Sequence, residues 1–448
     1  MRNEKLKRKS NKQQPFYLLI MPAFARAFGP NFQSFYLRFF FLITLTIGGV
    51  AFLNSCDDDT DDLVEVIVAR PLTMSLSEFR AEVALTAPQP IKESGKIYVY
   101  LDYIFVGEVG KGVHIIDNRD PSAPVRIGFL NIPGNADISI RGDFLFADSL
   151  FDLVVLDISD LSSIWQVTRL EGVLQYPPIW PVGADIIEGE FDYENEVVVG
   201  WTRSVERRRP EDLPQVGVAE DFALANTDGG SNTGEGGSLA RFKIVGDFLY
   251  AVDSHSINVF DITNLKAPIE LPDVYAGFDI ETIYNRGEHL FLGGRRGMYI
   301  FDINDPAAPN FISEFQHGTA CDPVVVDGDF AYVTLRGGNG CGATESGLFI
   351  VDISNITNPV LATSYPMVGP YGLGLSADLL FVCDGEAGLK VYDRSDVLDL
   401  KMLDRFPELF AYDVIPLQDR LVLVGDGEVR QYNYTEGSIE LLSRLSLR

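Results

Sequence analysis

Few residues in this chain that could do acid–base or nucleophilic chemistry stand at spacings that support it. The four histidines, His114, His255, His289 and His317, show no i, i+2 or i, i+4 pattern from which a zinc site is built. No Gly-Lys-Ser/Thr phosphate loop, Gly-x-Ser-x-Gly elbow or Cys-x-x-Cys pair occurs. Carboxylates are abundant, 64 Asp and Glu against 36 Lys and Arg, for a net charge of −28 over 448 residues. Such a body repels nucleic-acid backbones and anionic membranes. No nucleic acid is expected as a partner, while cations, basic proteins and neutral glycans stay open.

The elements that must position these residues repeat. Each copy has a short apolar strand, a Gly-Asp or similar turn, a second apolar strand, a loop, and an apolar run ending in Asp-Ile or Asp-Asn. A Pro usually follows about seven residues later. Gly112-Val-His-Ile-Ile-Asp117-Asn leads to Pro124, and Leu153-Val-Val-Leu-Asp157-Ile-Ser to Asp-Leu. Ile257-Asn-Val-Phe-Asp261-Ile-Thr leads to Pro268, Met298-Tyr-Ile-Phe-Asp302-Ile-Asn to Pro309, and Leu348-Phe-Ile-Val-Asp352-Ile-Ser to Pro359. Leu389-Lys-Val-Tyr-Asp393-Arg-Ser follows, and Val429-Arg-Gln-Tyr432-Asn-Tyr is a last copy without the aspartate. The aspartates at 117, 157, 261, 302, 352 and 393 are 40, 104, 41, 50 and 41 residues apart. One unit is therefore about 40 residues, the length of a propeller blade. The long interval contains an insertion, about 172–239. The fold class is all-β: a β-propeller of about seven four-stranded blades. The repeated Asp is read as a turn residue whose carboxylate accepts backbone N–H groups.

The Φ-Φ-Φ-Φ-Asp-Ile-Ser core resembles the LVIVD repeat, over roughly residues 95–435; Leu348-Phe-Ile-Val-Asp-Ile-Ser is its closest copy, and the first, second and last units depart from the consensus. The resemblance implies a bacterial propeller, often surface-bound or secreted. It implies no catalytic residues, because the motif defines none.

Blade geometry sorts the loops onto two faces. The turn face collects uniform hairpins such as Gly142-Asp143, Gly246-Asp247 and Gly328-Asp329. The loop face collects the starts of the first strands and the varied loops, where binding on a rigid scaffold usually lies. At the strand starts stand Asp137, Asp279, Glu281, Asp322 and Asp413. They are read mainly as strand caps facing water; as weak metal candidates, Asp137, Asp279, Asp322 and Asp413 form an acidic ring that could hold calcium. No other cofactor is expected. The loops add Asp253, His255, Arg295, Arg296, Arg336 and Asp384 as a candidate binding face. Trp180 and Trp201 of the insertion, with Tyr176, could stack on a sugar or protein partner, or cover the side of blade two. Residues 173–209 suggest an extra hairpin, and the Gly-rich run 226–238 a flexible loop.

The N-terminus reads as an export signal. Residues 1–55 carry eight Lys/Arg and one acid, 8 − 1 = +7, which leaves −28 − 7 = −35 for the rest. An apolar run, Phe39 to Leu53, has signal-core length. Leu53-Asn54-Ser55-Cys56 resembles a bacterial lipobox, which makes Cys56 the lipid attachment site. The acidic run from Asp57 to Asp62 begins a tether expected over 56–79, ahead of a propeller over 80–448. Anchoring is expected at the outer membrane, facing the cell surface. Cys321 and Cys341, 20 residues apart on the loop face, are expected to form a disulfide, worth about 3 kcal/mol in the chain-entropy model. Cys383 is then a buried free thiol. A Cys321–His317 nucleophile is disfavoured, since that bridge would consume the thiol. The expected function is a monomeric, lipid-anchored binding or scaffold module for a protein or glycan. The alternatives are a glycan-active enzyme using loop-face carboxylates and a calcium-stabilised envelope component.

Overall fold

In a computed structural model, the described residues are 63–81, 83–91, 94–175, 181, 183–192, 194–209, 234–316, 323–337, 346–435 and 438–448. The chain divides into two compact units, 1–64 with 208–212, and 65–207 with 213–448. The second holds almost every described residue. The leader, Cys56 and the acidic run lie outside the described residues, as do Tyr176, Trp180, His317, Cys321, Asp322 and Cys341.

Seven antiparallel sheets follow one another along the chain, as blades one to seven over 94–131, 138–170, 242–275, 280–316, 324–366, 373–406 and 413–446. Five are four-stranded in sequential order; blade one gains Glu235–Gly236 on its inner edge and Ala84–Thr86 on its outer edge, and in blade three the outer strand is in two pieces. The second and third strands are sandwiched between neighbouring blades and read as continuous apolar runs, as in Leu379–Cys383. Outer strands such as Val360–Pro366 are mostly exposed. The hairpins between first and second strands are two-residue turns: Arg141 pairs with Phe144 across Gly142-Asp143. Gly142, Gly246, Gly287 and Gly328 all sit near φ +55°, which such turns require. Leu101 and Ala377 take the same position at φ 51° and 45°, against the steric preference of L-residues.

The repeated aspartate is a turn acceptor in all six blades that have it. Asp117, Asp157, Asp261, Asp302, Asp352 and Asp393 accept the amide of the residue two positions on, at 2.8–3.1 Å. Side-chain and backbone hydrogen bonds from that same residue hold each carboxyl below its ordinary range. This contribution is present above the unfolded value near 3.8 and is lost as pH falls through the lower folded values.

The next residue sets the ring. Ile158, Ile262, Ile303 and Ile353 are buried in apolar clusters formed with the preceding blade. Each such burial is worth about 1.5–3 kcal/mol. Where the motif departs from Ile, a polar contact takes over. Arg394 reaches Tyr332 of blade five and pairs with Asp327 at 2.8 Å. Asn118 faces blade seven, where its amide and that of Gln431 bond reciprocally at 3.0 and 2.7 Å. Around them Ile97, Val99 and Ile104 pack on Ile415, Val422 and Val424, so blade seven closes directly against blade one. The buried C-terminal Leu447 adds its carbonyl as acceptor from Ile91 N at 2.6 Å and Arg126 Nη1 at 3.0 Å.

The insertion departs from expectation. No hairpin forms among the described residues of 173–209. Instead Val64–Ser75 is the middle strand of a three-stranded sheet, between Ile186–Ile187 and Glu196–Arg208. Residues 64–79 are therefore not tether: Val66 and Val68 are buried, and Arg70 pairs with Glu188 and Glu206, both at 2.7 Å. A one-and-a-half-turn helix α1 (Leu76–Ala81) follows, with Phe79 buried against Phe151.

The Gly-rich run also differs from a flexible loop where it is described. Glu235–Gly236 pairs antiparallel with Tyr98 and Val99 on the inner strand of blade one. Gly234 N bonds Ile140 O, Gly237 N bonds Ile97 O, and Ala240 O accepts Ile283 N. Ser238 Oγ accepts Leu373 N at 2.5 Å. This segment thus touches the inner strands of blades one, two, four and six and runs along the axial channel as a plug. Glycine is needed there: a Cβ on Gly234 would strike Tyr98, and one on Gly237 the Asp413 carboxylate.

At the strand starts around the plug, Asp137 accepts Arg241 N at 2.5 Å, Phe242 N at 3.1 Å and Ile138 N at 2.8 Å, and faces Lys96 Nζ at 3.2 Å. Asp413 is fully buried and accepts Val414 N at 2.9 Å. Burial pushes its carboxyl up to about 8, opposed by that N–H, Lys96 and the amide of Ser238.

Two outcomes are expected. Asn118→Ala should lower the unfolding free energy by about 1–3 kcal/mol in chemical denaturation, because it leaves the buried Gln431 Oε1 without the Asn118 donor, while Gln431 Nε2 keeps Pro121 O and Ser443 Oγ. Gln431→Ala also loses the bonds to Pro121 O and Ser443 Oγ, so the double variant should cost less than the sum of the two single changes; strict additivity would contradict the pairing. For Asp413, the folded protein retains a proton that the unfolded chain has lost above pH 3.8. Its stability contribution is full below that value and is lost as pH rises towards about 8. The melting temperature of Asp413→Asn relative to wild type should therefore rise between pH 5 and pH 8.5. Parallel pH profiles would contradict it.

Candidate functional site

The candidate binding-face residues separate into two groups. Asp253 and Asp384 lie inside the blades rather than on the face. Asp253 accepts His255 N, Ser256 N and Asn258 Nδ2 at 2.8–2.9 Å. Asp384 accepts Val368 N and Gly369 N and pairs with Lys390 at 2.6 Å. Both sit just past the second strand, as Asp148 does near the end of its strand in blade two, where it takes the amides of Ala136 and Asp137. Arg295 is buried. Arg336 is half-buried and stacks on Tyr371 at 4.0 Å. Trp201 is half-buried on Glu196–Arg208.

Among the weak metal candidates, Asp137 and Asp413 are engaged at the plug. Asp279 stands apart in blade four at φ 55°, its carbonyl accepting Arg295 N. Among the described residues no three His, Cys, Asp or Glu side chains gather as a metal site. Cys383 ends the second strand of blade six, is buried, and has its thiol pushed well up by burial.

His255 and Arg296 remain exposed, and they come together beside Phe278. The outer strand of blade three is broken into Ile269–Glu270 and Val274–Tyr275. Between the pieces lies Leu271-Pro272-Asp273, whose proline has no N–H for the ladder. The chain then passes through Ala276, Gly277 and Phe278 to blade four, with Ala276 N bonded to His255 O at 2.7 Å. Gly277, at φ 138°, lies on the Tyr299 ring, where an added Cβ would sit 3.0 Å from Cζ.

The break opens a cleft of about 930 Å³ lined by Tyr275, Phe278, Arg296, Tyr299, Phe311 and Glu314, with Phe301 and Gln316 completing it. Tyr275 is 60% exposed, and Phe278 and Phe311 are each 50% exposed. Phe278 meets Tyr275 and His255 edge-on at 5.9 and 5.6 Å, and the Arg296 guanidinium lies 5.5 Å from its centroid. Tyr299 is 8% exposed; burial, then Glu314, pushes its phenol up. Glu314 accepts Gln316 Nε2 at 2.6 Å. Sequence reasoning found Arg296 and the neighbouring His255 but missed the aromatics. The available signal was Tyr275-Ala-Gly-Phe278, two aromatics around a glycine at a blade junction after a proline-broken strand.

The LVIVD repeat profile matches residues 93–131, 133–170 and 317–366. Among solved structures, BamB from Moraxella catarrhalis is 10% identical at a TM-score of 0.45, over 83% of this chain and 99% of that one. Hsv2 from Kluyveromyces lactis is 12% identical at a TM-score of 0.45, over 80% and 100%. A functionally unknown protein from Desulfotomaculum acetoxidans DSM 771 is 14% identical at a TM-score of 0.45, over 78% and 95%. Comparison with curated proteins finds no match. The seven sheets and the repeated aspartate turn agree with the profile: this chain is a β-propeller that carries LVIVD repeats.

Proposed function

We propose that this protein is a surface-displayed lipoprotein whose propeller binds a ligand in the cleft between blades three and four. The observation that carries the reading is the cleft itself: three half-exposed aromatic rings beside a guanidinium, on a ring whose channel the chain's own plug occupies. Exposed aromatics held on a rigid frame bring large contact area at small entropic cost. The propeller strands position the cleft, so a partner pays little for ordering it. Hydrolytic chemistry has less support, because glycoside cleavage ordinarily uses two carboxylates and Glu314 is the one carboxylate lining the cleft among the described residues. Lipid attachment at Cys56 and display at the cell surface rest on the lipobox-like Leu53-Asn54-Ser55-Cys56 and the acidic run behind it.

Two measurements test the reading. Pull-down from envelope extracts with the full chain should capture a saturable partner, and Phe278→Ala with Arg296→Gln should weaken capture at least tenfold without changing the melting curve. Unchanged capture would place binding elsewhere. In cells, an alkyne fatty acid should label the wild type and not Cys56→Ala, and external protease should degrade the labelled protein on intact cells. Equal labelling of both, or full protection, would contradict the anchor or its orientation.

A further inference from the structure

Resting on the cleft being the ligand site, we infer that its ligand is a neutral oligosaccharide. Tyr275, Phe278 and Phe311 present apolar ring surface, and polar side chains rim the same cavity. The Arg296 guanidinium stacks on Phe278 and makes no hydrogen bond or ion pair among the described residues. Glu314 gives one oxygen to Gln316, and its other oxygen is unbonded among the described residues. The phenols of Tyr275 and Tyr299 likewise have no hydrogen-bond partner there, although Tyr299 is more than nine-tenths buried. The cavity therefore offers donors from Arg296, an acceptor from Glu314 and two groups that do both, beside flat apolar surface.

A pyranose ring has the complementary arrangement: C–H groups on its faces and hydroxyls around its edge, each able to donate and accept. A proline-rich segment is the main competitor for an aromatic groove. It fits the rings but brings few donors, since proline has no N–H, and would leave Glu314 and its neighbours poorly matched. Charge selects among glycans. Arg296 and Glu314 offset one another, and a chain of net charge −28 resists sulfated or uronic polymers. The volume, about 930 Å³, lies near the upper end of the range for ligand sites, roughly 300–1,000 Å³, which suits several linked sugars rather than one.

The test is calorimetric titration of the full chain with neutral hexasaccharides of β-1,4-glucose, α-1,4-glucose, β-1,4-mannose, β-1,4-xylose and β-1,4-N-acetylglucosamine. A decaproline peptide and a heparin hexasaccharide are the comparison probes. At least one neutral hexasaccharide should saturate the protein, with affinity unchanged between 50 and 500 mM salt. Phe278→Ala should weaken it at least tenfold, and Tyr299→Phe, which keeps the ring and removes the hydroxyl, several-fold. Binding of decaproline alone, lost in Phe278→Ala, would overturn the glycan and leave the cleft as a binding site. Salt-sensitive binding of heparin alone would overturn neutrality. Failure of every probe would overturn the inference, while partner capture that depends on Phe278 would still uphold the site. Neutral-glycan binding indifferent to Phe278→Ala and Tyr299→Phe would overturn both.

Discussion

A four-stranded blade with two apolar faces cannot stand alone, and this structure depends on how each blade seats in the one before it. The seat is the residue after the repeated aspartate. The aspartate turns the chain by holding the amide two residues on, and this fixes where the next side chain points. In four blades that side chain is Ile in the preceding blade's core. In blade six it is Arg394, and at the closure Asn118. The polar substitution at Asn118 gives blade seven one partner with matching geometry, Gln431. A buried amide pair penalises mismatched neighbours more than an apolar contact does, which suits the one junction joined across the whole length of the propeller.

Closure creates a channel, and the chain fills it with its own residues. The plug ties the insertion to several blades at once and leaves a small cavity beside it, lined by Glu235, Ser238, Tyr284, Val325, Leu373 and Ile415. It also explains why buried carboxylates there, Asp137 and Asp413, serve backbone amides. The proposed ligand site lies at the perimeter, at the junction that follows the outer strand broken around Pro272. The same blade framework that spends Asp253 and Asp384 on loop geometry positions Phe278, Tyr299 and Arg296 around the proposed site.

The repeat was legible in the sequence because each blade solves one steric problem in the same way: apolar strands, a left-handed turn residue, an aspartate before a turn. The plug was not, because glycines at 234 and 237 signal either freedom or lack of room, and only the surrounding Tyr98 and Asp413 distinguish these. Val64–Ser75 was hidden by the acidic run before it and by its partners lying more than a hundred residues away. Loop-face carboxylates looked available because a sequence shows charge but not the amides that consume it. The aromatic cleft comes from a packing interruption between blades, which leaves the repeat spacing of 41 residues between Asp261 and Asp302 unchanged.

The central claim, a plugged ring that binds at its blade three–four junction, is tested most directly by amide hydrogen exchange of the full chain with and without envelope polysaccharide. Residues 234–241 should already be as protected as the blade strands before ligand is added. Ligand should then slow exchange at 275–278, 296–299 and 311–316 and leave the plug unchanged. Fast exchange in the plug, or new protection centred on the channel instead of the junction, would contradict the account.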